Sequence, residues 1–372
     1  MHFRGEWDDS WKAVRKESAA ISRKAAFVGI WVLVALGALA GATSPAAAHG
    51  NPDRQLLKTY QPVLVFHPAE LFRPTKVQTF IADSELERFV GSNPAQQLPL
   101  DPFWTVIDPD PGPGELAHLE PGAFYRLDQA TCEADAPLAG AACYAEAWAG
   151  RGGNTVYGRV ARTATRIVLQ YWLFYYDNPL LLPPTPVGTF WQSHEGDWEV
   201  VNVILDSSGE PLEAGYSQHC SGQRKPWATV QKSPGGSTHP VAYVALGSHS
   251  NYFAPGSGPL GAIPINPLCI PPAVQQVLPF LQVVDQVLDG SAVGAVAGPP
   301  GSGLQPATIH KIEGKAWSAF PGRWGESEYF FTPIALGPIP AGTAVPVGLA
   351  PSSPPQQGQW DPATVLSWPL VP

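Results

Sequence analysis

GNTVYGRVARTATRIVLQYWLFYYD, residues 153–177, decides how this chain folds. Its run from Ile167 to Tyr176 is too unalternating for a half-exposed strand, and too rich in β-branched and aromatic residues for a helix. A central strand buried on both faces meets both conditions. After the loop NPLLLPPTPVGTFWQS comes HEGDWEVVNVILD, residues 194–206, whose apolar half reads as a second strand ended by the turn SSGE. VAYVALGSH, residues 241–249, reads as a third, and the closing third of the chain returns to β-type runs such as SEYFFTPIAL.

Toward the N-terminus, YQPVLVFH (60–67) is strand-like, FRPTKVQTFI follows it, and a helix is expected around Ser84–Phe89. NPAQQLPLDPFWTVIDPDPGPG (93–114) is proline-broken and reads as a surface excursion. Apolar positions at helical spacing over 272–289 predict a helix kinked at Pro279, packed on the domain rather than on lipid, and a small-residue linker follows it. With 42 prolines and 37 glycines, long helices have little room. The expected fold is mainly β: an antiparallel β-sandwich with long loops and one or two helices. It forms a single domain over 49–372, with an inserted helical and flexible segment at about 255–305.

The first 48 residues carry six basic side chains, then an uncharged apolar run from Ala25 to Ala42, then Ala46-Ala47-Ala48. That order predicts a secretory signal peptide cleaved after Ala48, an uncleaved anchor being the alternative. The leader holds six of the 22 basic and four of the 31 acidic residues, so the remaining 324 carry 16 and 27, a net charge of −11. Nucleic acid is excluded as a natural partner, and after cleavage no integral membrane domain is expected. The protein is expected outside the cytoplasm, secreted or otherwise extracytoplasmic. Cys132, Cys143, Cys220 and Cys269 all lie in the exported part and none sits in a CxxC spacing, so disulfides are expected. The preferred pairing is Cys132 with Cys143, closing a short loop, and Cys220 with Cys269 as the remainder.

The densest chemistry is His194-Glu195-Gly196-Asp197-Trp198-Glu199. On a strand Asp197 and Glu199 project to one side and Trp198 and Val200 to the other, while Gly196 permits a bend that swings His194 back toward the acids. Two carboxylates in one patch require a positive partner, a cation or an arginine. Carboxylate-rich surroundings suit Ca²⁺ or Mg²⁺, and the imidazole also admits Mn²⁺ or Zn²⁺. Asp177, ending the buried strand, is the best further oxygen ligand. His249 is placed to approach the cluster behind the ligands or as a proton shuttle, although a lone histidine is more often structural. Hydrogen-bonded strand ends, with Glu199 paired to an arginine, explain the same residues without an ion. No GxSxG elbow, Walker loop or HExxH is present.

YQPVLVFHP, YWLFYYDN, HEGDWEVVNVIL, ALGSHSNY and FPGRWG, in this order over residues 60–325, resemble the signature blocks of the vacuolar protein sorting-associated protein 62-like (Vps62) family. A more distant similarity is to the necrosis- and ethylene-inducing peptide (NPP1-type) cytolysins. Their aromatic strand ending in Asp and their His-x-x-Asp-Trp-Glu block surround a divalent cation in a β-sandwich, and the ion supports attachment to sphingolipid head groups. That resemblance implies Asp177, His194, Asp197 and Glu199 as metal ligands here. The cytolysin block has Arg-His where this chain has Glu195-Gly196, which reverses the charge beside the site. The implied function is a secreted protein whose divalent cation holds a lipid head group or glycan. The alternatives are a metal-dependent hydrolase acting on a phosphoester or lipid, with His249 or Glu195 moving the proton, and a structural envelope-associated protein. Whether the protein is an enzyme stays open.

Overall fold

The computed structural model describes residues 51–372 apart from 68–69, 92–102, 133–136, 150, 152–153, 182–190, 219–220, 234–237, 256–302, 305–307, 333–334 and 336–339. The leader, the helix expected over 272–289, most of the inserted segment and the Cys220–Cys269 pairing lie outside the described residues. What is described falls within one compact unit, Gly50–Pro372.

In chain order the regular elements are α1 (Pro52–Thr59), β1 (Val63–Phe66), α2 (Val77–Ile81), β2 (Ser84–Phe89), β3 (Trp104–Asp108), β4 (Tyr125–Gln129), α3 (Pro137–Trp148), β5 (Thr155–Arg162), β6 (Arg166–Leu181) and β7 (Trp191–Asp206). They continue with β8 (Pro211–Gln218), β9 (Ser221–Pro226), β10 (Val241–Val244), β11 (Asn251–Tyr252), β12 (Gly303–Leu304), β13 (Thr308–Lys311), β14 (Arg323–Trp324), β15 (Ser327–Thr332), β16 (Thr343–Leu349) and α4 (Pro362–Ser367). The class is mainly β and sandwich-like, as expected, although its sheets are mixed rather than purely antiparallel.

The central sheet runs β13-β5-β6-β7-β15-β16, with β8 and β9 branching from β7. Every residue from Val168 to Asp177 is 0 % exposed, so β6 is the doubly buried strand that its sequence requires. On one face Phe174 and Trp198 sit with ring centroids 4.8 Å apart, and Trp317 and Trp324 close over Trp198 at 5.8 Å each. The small sheet β14-β4-β2-β3 lies on this side, brought in by Trp324 of β14. On the other face the Tyr216 hydroxyl donates to the Val241 carbonyl at 3.0 Å, which ties in the sheet β11-β10-β1-β12. The result is a layered packing around β6 and β7 in which most aromatic pairs are edge-on or tilted, edge-on being an arrangement that ring quadrupoles favour.

The outer edge of β7 is forked. Its first residues pair with β15 as far as Ser193↔Tyr329, and pairing resumes with β8 at Val201↔Tyr216. Between them, among the described residues, no strand lies along 194–200 on that edge, while the β6 ladder on the inner edge continues through most of the stretch.

Three local expectations change. SELERF forms β2 rather than a helix: it pairs on both edges with β3 and β4, and Glu87 is neutralised by Arg126. Val77–Ile81, within the FRPTKVQTFI stretch that follows the first strand, is the short helix α2, burying Val77, Phe80 and Ile81. The strand expected to reach His249 stops at Val244, because Gly247 (φ 75°) and His249 (φ 54°) turn the chain in the left-handed region. Within the proline-broken stretch, WTVID is the edge strand β3, with Val106 and Ile107 exposed. The Cys132–Cys143 disulfide is present and tethers α3 to the residues following β4.

Candidate functional site

β6 and β7 pair antiparallel with Tyr175 opposite Asp197, Leu173 opposite Glu199 and Asp177 opposite Glu195. Residues facing one another across such a ladder share a face. Regular alternation would then put residues 195, 197 and 199 together. Gly196, at φ 55°, breaks the alternation. Glu195 turns to the aromatic face, where its carboxylate accepts from the Tyr144 hydroxyl at 2.6 Å and from the backbone N–H groups of Gln129 and Glu326 at 3.2 Å each. Asp197 stays on the opposite face, accepting from His249 Nδ1 at 2.9 Å and Asn178 Nδ2 at 3.1 Å. A side chain at 196 has no room, since its Cβ would stand 3.2 Å from Trp324 Cβ and closer still to the Trp324 carbonyl oxygen. Gly325 (φ 130°) meets Glu195 just as tightly, so HEGDWE and FPGRWG interlock through their two glycines.

His249 lies between two acids, with Nδ1 on Asp197 and Nε2 3.4 Å from Glu70 Oε1. Its ring stacks flat on Tyr175 with centroids 3.8 Å apart. Burial alone would lower its pKa, but the charges and hydrogen bonds of Glu70 and Asp197 prevail and lift it to about 9. Glu70 shows the reciprocal effect: burial would raise it, yet His249 and the backbone N–H groups of Gly247 and Phe72 hold it below the usual carboxylate range. His249 thus stands against Asp197, and its two acidic neighbours favour the charged form of its ring. Glu70 was not singled out in the sequence; its place in FHPAELF, residues 66–72, carried no pattern of its own.

Asp177 is the exception to this compensation. It is 0 % exposed, and neither carboxylate oxygen has a partner in hydrogen-bond geometry. Burial pushes its pKa well above the usual range, and the nearby Asn178 N–H and His249 charge offset this only in part. Glu199 accepts from the Ser217 hydroxyl, which in turn accepts the Val200 N–H at 2.7 Å and so replaces the missing strand partner. His194 turns its Nδ1 onto the carbonyls of Gly196 (2.8 Å) and Glu195 (3.2 Å). An Nδ1–H donated to a carbonyl leaves the lone pair on Nε2, the tautomer suited to metal ligation.

Among the described residues, the trio whose ligand atoms all lie within 4.8 Å of one another is Asp128, Glu195 and Glu326, and this acidic trio could hold a metal ion. Arg126 already approaches it, with Nη2 3.0 Å from Asp128 Oδ2. Asp177, His194, Asp197 and Glu199 do not meet that distance as a set; what joins Asp177 and Asp197 is their common neighbourhood with His249 and Glu70. Asp128 and Glu326 stand outside HEGDWE, and only the fold brings them to Glu195.

No family model matches the chain, and no curated protein matches it. Among the described residues no helix is long and apolar enough to cross a membrane. Solved structures are similar at low identity. One, described as a toxin fold for microbial attack and plant defense, is 15% identical over 55% of this chain and 69% of that chain, with a TM-score of 0.30. NLPPya in complex with glucosamine is 15% identical over 56% and 69%, TM-score 0.27. Necrosis and Ethylene inducing Protein 2 from the causal agent of cocoa's Witches Broom disease is 16% identical over 52% and 61%, TM-score 0.25.

Proposed function

We propose that this chain is a secreted, Vps62-like protein whose Asp177, Asp197, Glu199 and His194 hold a divalent cation, Ca²⁺ or Mg²⁺, and that the ion secures an extracellular ligand such as a lipid head group or glycan. The observation that carries the reading is Asp177, buried with both oxygens lacking a partner. A buried carboxyl group left unsatisfied costs about 1–3 kcal/mol or more, so a fold that retains one has a use for it. A hard cation accepts carboxylate oxygens from several chain positions and would satisfy Asp177 outright. When bound, the ion would supply a focus of positive charge for an anionic or polyhydroxyl ligand. The protein's own part is to present Asp177 and Asp197 from paired strands, to hold Asp197 by His249 and Asn178, and to hold His194 in the ligating tautomer. The hydrolytic reading is weaker, because Glu195, one of its proposed proton carriers, faces away from Asp197.

The test is Asp177→Asn melted with and without Ca²⁺ or Mg²⁺. In chelator the variant should be about as stable as the parent, because a buried amide without partners costs about as much as the carboxyl group it replaces. With cation the parent should gain about 2.7 kcal/mol at one hundred times its dissociation constant and the variant nothing. Binding that survives Asp177→Asn but is lost in Glu195→Gln would move the ion to the Asp128 trio and refute the assignment.

A further inference from the structure

Among the described residues the basic side chains divide in two. Of the 16 basic residues beyond the leader, eleven reach an acid, a backbone carbonyl or an aromatic ring with the side chain. The other five, Arg54, Lys58, Lys76, Lys311 and Lys315, are all exposed, and among the described residues none makes an ion pair, a side-chain hydrogen bond or a ring contact.

These five border one edge of the central sheet. β13 is that edge, and its pairing with β5 sets Lys311 opposite Gly158 and His310 opposite Tyr157. Over Gly158, where a Cβ would stand 2.8 Å from Leu57 of α1 and 2.6 Å from Ile309 of β13, the helix and the strand close side by side. Arg54 and Lys58, one turn apart on α1, thus run alongside the strand that carries Lys311. Tyr157 gathers the rest: its hydroxyl accepts the Val77 N–H at 3.0 Å, and its ring lies 5.0 Å from Trp317 and 6.0 Å from His310. Lys76 and Lys315 flank His310, whose pKa is lowered by burial first and then by their two charges. The acids within this border are committed elsewhere, Asp53 to Arg162 and Glu313 to Arg159.

Like charges gathered on a surface add nothing to stability, and a chain with 27 acids beyond its leader has ample means to neutralise them. What the border supplies is a local potential opposite in sign to that of the molecule, which draws and orients an anionic partner. The five charges are spread along a helix and a strand rather than turned into one pocket, which fits a partner of repeated charge. None of the exposed large apolar side chains lies in α1, β13 or 312–317, so the border lacks the apolar face with which a protein enters a bilayer.

We propose that Arg54, Lys58, Lys76, Lys311 and Lys315 form a docking surface for an anionic polysaccharide. The surface is independent of the cation site.

Titration of heparin, a sulfated polysaccharide, into the protein at about 10 mM salt, where charges are screened only beyond about 30 Å, tests this, with dextran as the neutral control. The parent should bind heparin despite its net negative charge, ignore dextran and release heparin as salt rises. Lys76→Gln combined with Lys315→Gln should weaken binding about fivefold for each charge removed, roughly 25-fold in all. Arg88→Gln combined with Arg166→Gln removes the same charge away from the border and should change affinity little. Heparin should also raise the His310 pKa, followed by NMR, because it offsets the neighbouring lysines. Equal losses in the two double variants would mean that net charge alone governs binding, and would overturn the docking surface; so would a parent that binds no heparin. Binding to phosphatidylglycerol–phosphatidylcholine vesicles but not to heparin would overturn the polysaccharide as partner and make the border lipid-directed.

Discussion

Gly196→Ala isolates the most constrained backbone position of the site. Two costs combine there. A side chain at φ 55° loses about 1–2 kcal/mol to left-handed crowding. The added Cβ also meets Trp324, which is 0 % exposed and held by the rings of Phe80, Phe174, Trp198, Trp317 and Phe320, so it has nowhere to retreat. Overpacking of this kind costs about 1–3 kcal/mol, giving a total of about 2–5 kcal/mol. Gly209 is the control: its φ is 95°, yet a Cβ there meets nothing within 4 Å, so Gly209→Ala should show the conformational cost alone. Urea unfolding of the two variants beside the parent, compared at constant m, measures the difference. Equal losses would mean that Trp324 yields and that the interlock between the two glycine motifs is not rigid. Gly196→Ala should also abolish the cation-dependent rise in melting temperature, because a regularised β7 would carry Glu195 toward the face of Asp197.

Two further predictions concern the supports of the site. The Cys132–Cys143 disulfide closes a loop with a sequence separation of 11, and replacing both cysteines by serine should cost about 3 kcal/mol, read as a drop of several degrees in the thermal midpoint. An unchanged midpoint would show that α3 is held by its packing alone. Arg126 contacts Glu87 and Asp128 with its side chain 4 % exposed, so Arg126→Met takes the positive charge from buried Glu87 and half-buried Asp128 and should cost about 3–5 kcal/mol, partly recovered by adding Glu87→Leu. A loss under about 1 kcal/mol in denaturant unfolding would place the pair among solvent-screened surface contacts.

The elements that were legible are those in which one physical demand dominates. Burial on both faces left 167–176 no identity but a central strand, and the alternation of Asp197, Trp198 and Glu199 was readable because only one of the three is apolar. What misled was local propensity. SELERF has the composition of an exposed helix, but its strand depends on Arg126, 37 residues beyond Phe89, to neutralise Glu87. The bend expected at Gly196 is present, but it sets His194 Nδ1 on the Gly196 carbonyl, and its larger effect is to reverse Glu195. The approach of His249 to Asp197 was foreseen from its place at a strand end, although the strand itself ends five residues earlier. Glu70 was invisible, since nothing in a single sequence links residue 70 to a turn near residue 247.

The fork in β7 leaves part of a central strand without a second backbone neighbour. Because β15 leaves the strand at Ser193 and β8 joins it at Val201, the seven residues between them share a ladder with β6 alone. Individual groups from distant parts of the chain stand in on the open side: Ser217 receives the Val200 N–H, Tyr144 and the Gln129 and Glu326 N–H groups receive Glu195, and His249 receives Asp197. Repetitive pairing tolerates exchange of one residue for another, whereas a seam stitched by single contacts does not, so this stretch is where the architecture is least forgiving of substitution.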